Sequence, residues 1–556
     1  MEDKIHGNAN ENERRPVAKL PNRKYGYFRD DQFICLVSHP GGEVKSGQLE
    51  TFRDQMNSAL EDQNPKPGRI EQVPEVITFP NPDKNEGRAF SLIRCWIQEP
   101  VLDPLQHLSL VEILDKRFKA NKNENPDKGN SNEENFTADL NFDGLVIEGV
   151  SLNWITSIAS QGSGTGGPGG IPSPYYGSRR NAPYTFNLQQ RLEECEIYGD
   201  GTGVDVVILD TAPSTHDLVA AHKEWPDHPL IETLLGPDGK LHLYPTDYKE
   251  TLRLGNLSLN DSDYKMTDHG LFIAGIIHSI VPQAEIHLIE VLNQNGVGDY
   301  HAFNAGMQKA INDFKDPSRK LVINCSWMLD FPVDEHHCHH AKVAASGLSD
   351  PDIEFEEAVR LYVEKNEQAI AFNLEAAFDR SDQIGRGTIA AAGNDGYDDE
   401  MNSIHIRPKA RYPAALTTVL GVGALPTTLD KFTSGTLSGK YKVSDFSNRS
   451  DREDSSGTHP PKNGFATLGG EPGERKGILG LYLGEFPDGR RNTSKWAWWS
   501  GTSFATPLLT AAVASILSNK YQPVATTRQA IQKVREYLVI GSTDVKDEEA
   551  VPLTQC

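Results

Sequence analysis

The chain has 556 residues, of which 37% are hydrophobic and 24% charged, and a formal net charge of -23 at pH 7. That length exceeds what one hydrophobic core organises and calls for two or more domains. The negative charge argues against nucleic acid as a partner and against docking on an anionic membrane surface. No apolar run approaches the eighteen or so residues needed to span a bilayer.

Residues 1–30 are polar and charged, as expected of a disordered N-terminus, and lack the apolar core of a secretory signal. The six cysteines, Cys35, Cys95, Cys195, Cys325, Cys338 and Cys556, show no paired spacing, which predicts a reducing, cytoplasmic setting. Residues 31–150 read as a small α+β domain. Strands are expected at Gln32–Val37, Glu75–Phe79, Arg88–Ile97 and Phe142–Ile147, and helices at Gly47–Asp62 and Leu108–Ala120, giving the order βαββαβ. The Asn/Glu/Lys-rich stretch Asn121–Asn135 reads as a disordered loop. Residues 151–185 form a Gly/Pro-rich linker. Its run Gly162–Gly170 is flexible, and it lacks the Lys-Ser/Thr of a phosphate loop.

Residues 186–543 form the largest unit, and 544–556 a tail. Apolar strands recur at Val204–Leu209, Ile286–Val291, Leu321–Cys325, Thr388–Ala392 and Thr418–Val422, separated by helical stretches. That alternation predicts an α/β fold with a mostly parallel sheet covered on both faces. An insertion after Ser326 carries a charged helix, Asp352–Leu374, and the cluster His336-His337-Cys338-His339-His340. Consecutive residues do not converge easily on one ion and no second half-site follows, so a solvated loop and no metal are expected. Thr427–Lys440 and Asn448–Gly473 read as surface elaborations, and Thr526–Leu538 as a closing helix.

Four segments carry candidate chemistry. Val206–Asp210 is an apolar strand ending in a carboxylate, where open α/β sheets place their sites. His269 opens an apolar helix, and Asn394 ends the strand that precedes a turn. Ser503 follows Gly501 at the start of a helix that is apolar on nearly all sides, with Pro507 expected in a first turn whose N–H groups have no helical acceptor. A serine hydroxyl needs a base to take its proton, a group to orient that base, and donors for the oxyanion. Singly, each residue also reads as a cap or a turn residue.

Jointly, in the order Asp, His, Asn, Ser, the segments resemble the subtilisin-like serine peptidases. Ser500–Pro507 is similar to the family's GTSxATP box. His269–Gly275 is similar to its HGTHxAG box, with Leu271 for threonine and Phe272 for the second histidine. Ile208–Ala212 is similar to its aspartate box, with Ala212 for glycine, and Ala391–Asn394 to its AAGN strand. Weaker echoes are Val322–Ser326, Tyr412–Ala414 and Asp445–Asn448. The resemblance implies an endopeptidase with Asp210, His269 and Ser503 as the triad and Asn394 in the oxyanion hole. It also implies substrate-binding walls at Ser326, Trp327, Asp330 and Gly393. Protein or peptide substrates are expected and no cofactor is required; family members often bind structural calcium, for which no loop maps here.

Trp327 and Met328 replace the small residues that usually follow the substrate-binding serine. The Ser326-Trp327 pair resembles the kexin branch, and Asp330 with Asp398-Asp399-Glu400 would favour Arg or Lys before the scissile bond. The βαββαβ unit is similar in order to the propeptides of these enzymes, which implies that residues 31–150 dock on and restrain the catalytic unit. Two further readings stay open: a catalytically impaired peptide-binding scaffold, with Ala212 and Phe272 as the altered positions, and a serine hydrolase of small esters. The sequence does not set the oligomeric state.

Overall fold

The computed structural model describes residues 28–40, 42–64, 66–79, 88–97, 104–123, 142–158, 171–176, 188–245, 265–314, 316, 318–329, 358–366, 374, 378, 386–399, 404–426, 441–450, 464–472, 475–539, 541–542 and 549–551. Several expectations fall outside them: the terminal 1–27, most of the Asn121–Asn135 loop, the Gly-rich Gly162–Gly170, Asp330, the His336–His340 cluster and the Thr427–Lys440 insertion. The side chains of residues 397–400 lie outside as well.

The N-terminal unit follows the expected order: β1 (Phe28–Pro40), α1 (Ser46–Glu61), β2 (Glu75–Phe79), β3 (Arg88–Trp96), α2 (Pro104–Asn123) and β4 (Val146–Ile158). Its strands lie in the order β4-β1-β3-β2, all antiparallel. Leu49, Phe52, Met56 and Leu60 of α1 and Leu110, Val111, Leu114 and Phe118 of α2 fall at helical spacing and are buried. The last strand, expected at Phe142–Ile147 with linker from 151, instead runs from Val146 to Ile158. Val150, Leu152, Trp154, Ile155 and Ile158 are all buried, and that burial carries the strand on toward the Gly-rich run.

The larger unit opens with β5 (Ser173–Pro174), α3 (Leu188–Glu194), β6 (Val204–Asp210), α4 (Thr215–Glu224), α5 (Pro229–Leu235), β7 (Leu241–Tyr244) and α6 (His269–Ile280). It continues with β8 (Glu285–Glu290), β9 (Val297–Asp299), α7 (Tyr300–Asp313), β10 (Lys320–Cys325), β11 (Trp327–Leu329) and β12 (Thr388–Ala391). After β13 (Tyr397–Asp399), β14 (Ile404–Ile406), β15 (Val419–Leu425) and β16 (Phe465–Leu468) come the hairpin β17 (Ile478–Leu481) and β18 (Trp496–Trp499) and the long α8 (Thr502–Ser518). The chain closes with α9 (Thr527–Tyr537), β19 (Gly541–Ser542) and β20 (Glu549–Val551).

Nine of these strands make one sheet, β19-β20-β16-β15-β12-β10-β6-β8-β7, parallel throughout except at the β19–β20 edge. In β6, Val207 and Leu209 join one buried cluster with α7, while Val204, Val206 and Ile208 join another with α6 and α8. The sheet is therefore covered on both faces, as continuous apolar strands require. Every residue of α8 is buried.

The two units share structure. Residues 155–158 of β4 lie between β9 and β11, antiparallel to both: Thr156 faces Gly298 on one side and Leu329 on the other, and Ile158 faces Trp327. The Asn153 side chain accepts from the His301 backbone N–H at 3.1 Å and donates to Gln32 at 2.7 Å. Both units also contribute to one continuous apolar cluster.

Candidate active site

Asp210, His269, Asn394 and Ser503 come from the end of β6, the start of α6, the turn after β12 and the start of α8, and all four are buried. The Asp210 carboxylate accepts from His269 Nδ1 at 2.8 Å and from the Thr211 backbone N–H at 2.7 Å. This contact needs α6 to approach β6 closely. A Cβ on Gly270 would stand 2.2 Å from the Thr211 carbonyl, so only glycine fits there. With Nδ1 committed to Asp210, His269 Nε2 has no hydrogen-bond partner among the described residues. Trp499 packs edge-on against the imidazole at 5.4 Å and Phe504 at 5.3 Å between ring centres.

Phe272, in place of the family's second histidine, extends this aromatic wall onto Trp499 and Phe504. Its ring leaves no room for a side chain at Gly480, where a Cβ would lie 2.5 Å away. One residue before His269, Asp268 accepts from the Leu483 and Gly484 N–H groups at 2.7 and 2.6 Å and so ties the β17–β18 connection to α6. Burial pushes the Asp268 carboxyl up, against the lowering by those two donors.

Gly501 adopts φ 151°, ψ 162°, a backbone region that essentially only glycine enters, and turns the chain into α8. The helix starts at Thr502, so Pro507 is its sixth residue and not part of the free first turn. A residue there would donate to the carbonyl four back, that of Ser503. The Ser326 hydroxyl takes over that role, donating to the Ser503 carbonyl at 2.9 Å. In return the Ser503 hydroxyl donates to the Ser326 carbonyl at 3.1 Å, and not to His269.

Asn394 is held by its oxygen, which accepts from the Thr502 backbone N–H at 3.0 Å and the Thr502 hydroxyl at 2.9 Å. Its amide nitrogen is thereby aimed away from Thr502. That nitrogen is buried, with no acceptor among the described residues. The turn beyond is braced by a buried pair, Arg411 to both oxygens of Asp395 at 2.9 Å, and by Asn448 to Asp395 at 2.8 Å. Gly393 sits at φ 113° with Asn448 against it. Trp327 packs on Phe303, ring centres 4.3 Å apart. Ser326 thus touches Ser503 and the Gly393 N–H donates to the Thr502 hydroxyl at 3.2 Å, whereas the Trp327 ring is buried on Phe303 and Asp330 lies outside the described residues. Sequence reading missed Thr502, although it stands inside the serine box, and gave no role to Asn324. Among the described residues no group of three or more His, Cys, Asp or Glu is placed to hold a metal ion.

No curated protein shows significant similarity to the chain. Among solved structures it is similar to fervidolysin from Fervidobacterium pennivorans, a keratinolytic enzyme related to subtilisin (15% identity, 98% of this chain and 63% of that chain, TM-score 0.45). It is also similar to a lanthipeptide protease (20% identity, 66% and 90%, TM-score 0.37) and to S41, a psychrophilic protease (18% identity, 63% and 86%, TM-score 0.35). The chain thus spans 63% of fervidolysin's length. The model of the subtilase family matches residues 201–551, more than half of the chain, and the protein belongs to that family of serine peptidases.

Proposed function

We propose that this chain is a serine endopeptidase restrained by its own N-terminal unit. One observation carries the reading: an extended polypeptide, residues 155–158, already lies between β9 and β11 and runs toward the Ser326–Ser503 pair. The Ile158 N–H donates to Gly296 on the β9 side at 3.0 Å. Alternate residues of a strand point their N–H groups to opposite sides, so the next residue of a polypeptide in this slot directs its N–H at Ser326. Its carbonyl then falls beside Ser503.

In this reading Ser503 attacks that carbonyl while His269 Nε2 takes its proton. Asp210 holds the imidazole in the required tautomer and stabilises the imidazolium. The Asn394 amide and the Ser503 backbone N–H receive the oxyanion. His269 then protonates the leaving amine, and water hydrolyses the acyl-enzyme. Preference for Arg or Lys before the cut remains a proposal from the sequence alone. The buried Asn153–His301 contact and the shared apolar cluster support docking of the N-terminal unit as a restraint.

The scaffold reading is favoured by one observation, the Ser503 hydroxyl turned to Ser326 and away from His269. Reaction with a fluorophosphonate, mapped by mass spectrometry, separates the two. Modification of Ser503 supports the enzyme, and folded protein that stays unmodified supports the scaffold. Sequencing the new ends in a digested, denatured proteome then identifies the residues before the cut.

A further inference from the structure

Pro507 removes the helical donor that the Ser503 carbonyl would otherwise receive. The replacement, Ser326 Oγ, has one proton, and where it goes depends on what lies behind it. Asn324 Nδ2 donates to Ser326 Oγ at 2.9 Å, which leaves that hydroxyl free to donate forward to Ser503. Asn324 Oδ1 in turn accepts from the Thr510 hydroxyl at 2.9 Å. Thr510 also lies 3.1 Å from the Thr506 carbonyl, and a hydroxyl has only one proton to give. Two senses of the chain are therefore available. With Thr510 donating to Asn324, every bond runs toward Ser503. With Thr510 donating to Thr506, the Asn324 amide turns over, Ser326 donates back to it, and the Ser503 carbonyl is left without a donor. All four residues are 0% exposed, so no solvent substitutes for the missing bond.

We propose that Thr510 and Asn324 are positioning residues for Ser503. By fixing the sense of this hydrogen-bonded chain they hold the first turn of α8, and with it the Ser503 hydroxyl and backbone N–H, in the place that attack requires. Neither residue touches the reacting atoms. The inference rests on Ser503 being the nucleophile. It adds a reason for a threonine in the otherwise apolar run Leu508–Ala514, and for an asparagine inside an apolar strand.

The test uses the full-length chain, incubated until any self-cleavage is complete, as wild type, Thr510→Val and Thr510→Ser. Valine keeps the shape and removes the hydroxyl, while serine restores it. The readouts are the rate of Ser503 modification by a fluorophosphonate, kcat and KM on a peptide substrate, and the thermal midpoint. Thr510→Val should modify and turn over about tenfold more slowly, the effect of one lost buried hydrogen bond. KM should stay unchanged and Thr510→Ser should return to the wild-type rate. A folded Thr510→Val protein that reacts at the wild-type rate overturns the proposal. So does a loss that Thr510→Ser fails to restore. Should Thr510→Val not fold, Asn324→Ser takes its place with the same expectation and the same overturning result. Wild-type protein that never reacts removes the nucleophile assignment itself, and the proposal with it.

Discussion

Ile158 stands directly opposite Trp327 in an antiparallel pair, one residue short of the level of Ser326, whose carbonyl accepts the Ser503 hydroxyl. The N-terminal unit thus sends its last strand between β9 and β11, the slot proposed above for a substrate. By the same alternation that turns the Ile158 N–H to Gly296, the Ser157 N–H faces β11. Ser157→Pro removes that donor and weakens the pairing. Initial activity of the full-length variant on an added peptide should rise severalfold over wild type; no rise, in a folded variant, counts against the restraint.

Asn394 is aimed by Thr502 and contributes nothing to the Asp210–His269 pair. Asn394→Ala should therefore lower kcat by about 10²–10³ with little change in KM. Steady-state kinetics on one peptide substrate check this. A large rise in KM at constant kcat would instead make Asn394 a binding residue.

Asp210 fixes His269 by a 2.8 Å bond to Nδ1. Asp210→Asn preserves the shape but favours the wrong tautomer, and turnover should fall by about 10⁴. Retained turnover above a tenth of wild type contradicts the assigned role.

Phe272 and Gly480 form a matched pair. A methyl at Gly480 would press on the ring and through it on Trp499 beside His269. Gly480→Ala should cost about 1–3 kcal/mol of stability. Combined with Phe272→Leu it should cost less than the sum of the two changes, a coupling that denaturation of the two single variants and the double variant measures. Strict additivity refutes the contact.

Asp205 lies at the far end of β6 from the site. Burial alone would raise its carboxyl, but hydrogen bonds from His287 and Arg319 outweigh it and hold the group below the ordinary aspartate value. A depressed folded value means the stabilisation is present above about pH 3.9 and is lost as pH falls through the folded value. Asp205→Asn should be less stable than wild type by about 1–3 kcal/mol at pH 7, with the gap closing as pH falls below about 3.9. A gap that stays constant over that range contradicts the ionised pair.

Much of the large unit was legible because its signals are local. The run Val206–Asp210 is a buried strand by composition alone, Asn394 follows another such strand, and His269 and Ser503 each stand at the start of an apolar helix. What escaped was set by distant partners. Nothing in Ile155–Ile158 announces that it pairs with β9 and β11, which are three residues each and come much later in the chain. Pro507 read as a first-turn proline because one residue's difference in where α8 begins decides which carbonyl it leaves open, and propensity does not resolve a helix start that finely. Thr502 was hidden because its task, orienting Asn394, exists only once β12 and α8 meet.

The central claim is that Ser503 cuts peptide bonds and that this chain's own strand occupies the slot leading to it. Mass spectrometry of the termini in purified full-length protein, beside Ser503→Ala, tests it most directly. The account predicts cleavage directly after the residue that follows Ile158, ahead of the Gly-rich run, in wild type and none in Ser503→Ala. The same cleavage in both proteins, or its absence from folded wild type that does react with a fluorophosphonate, would contradict it.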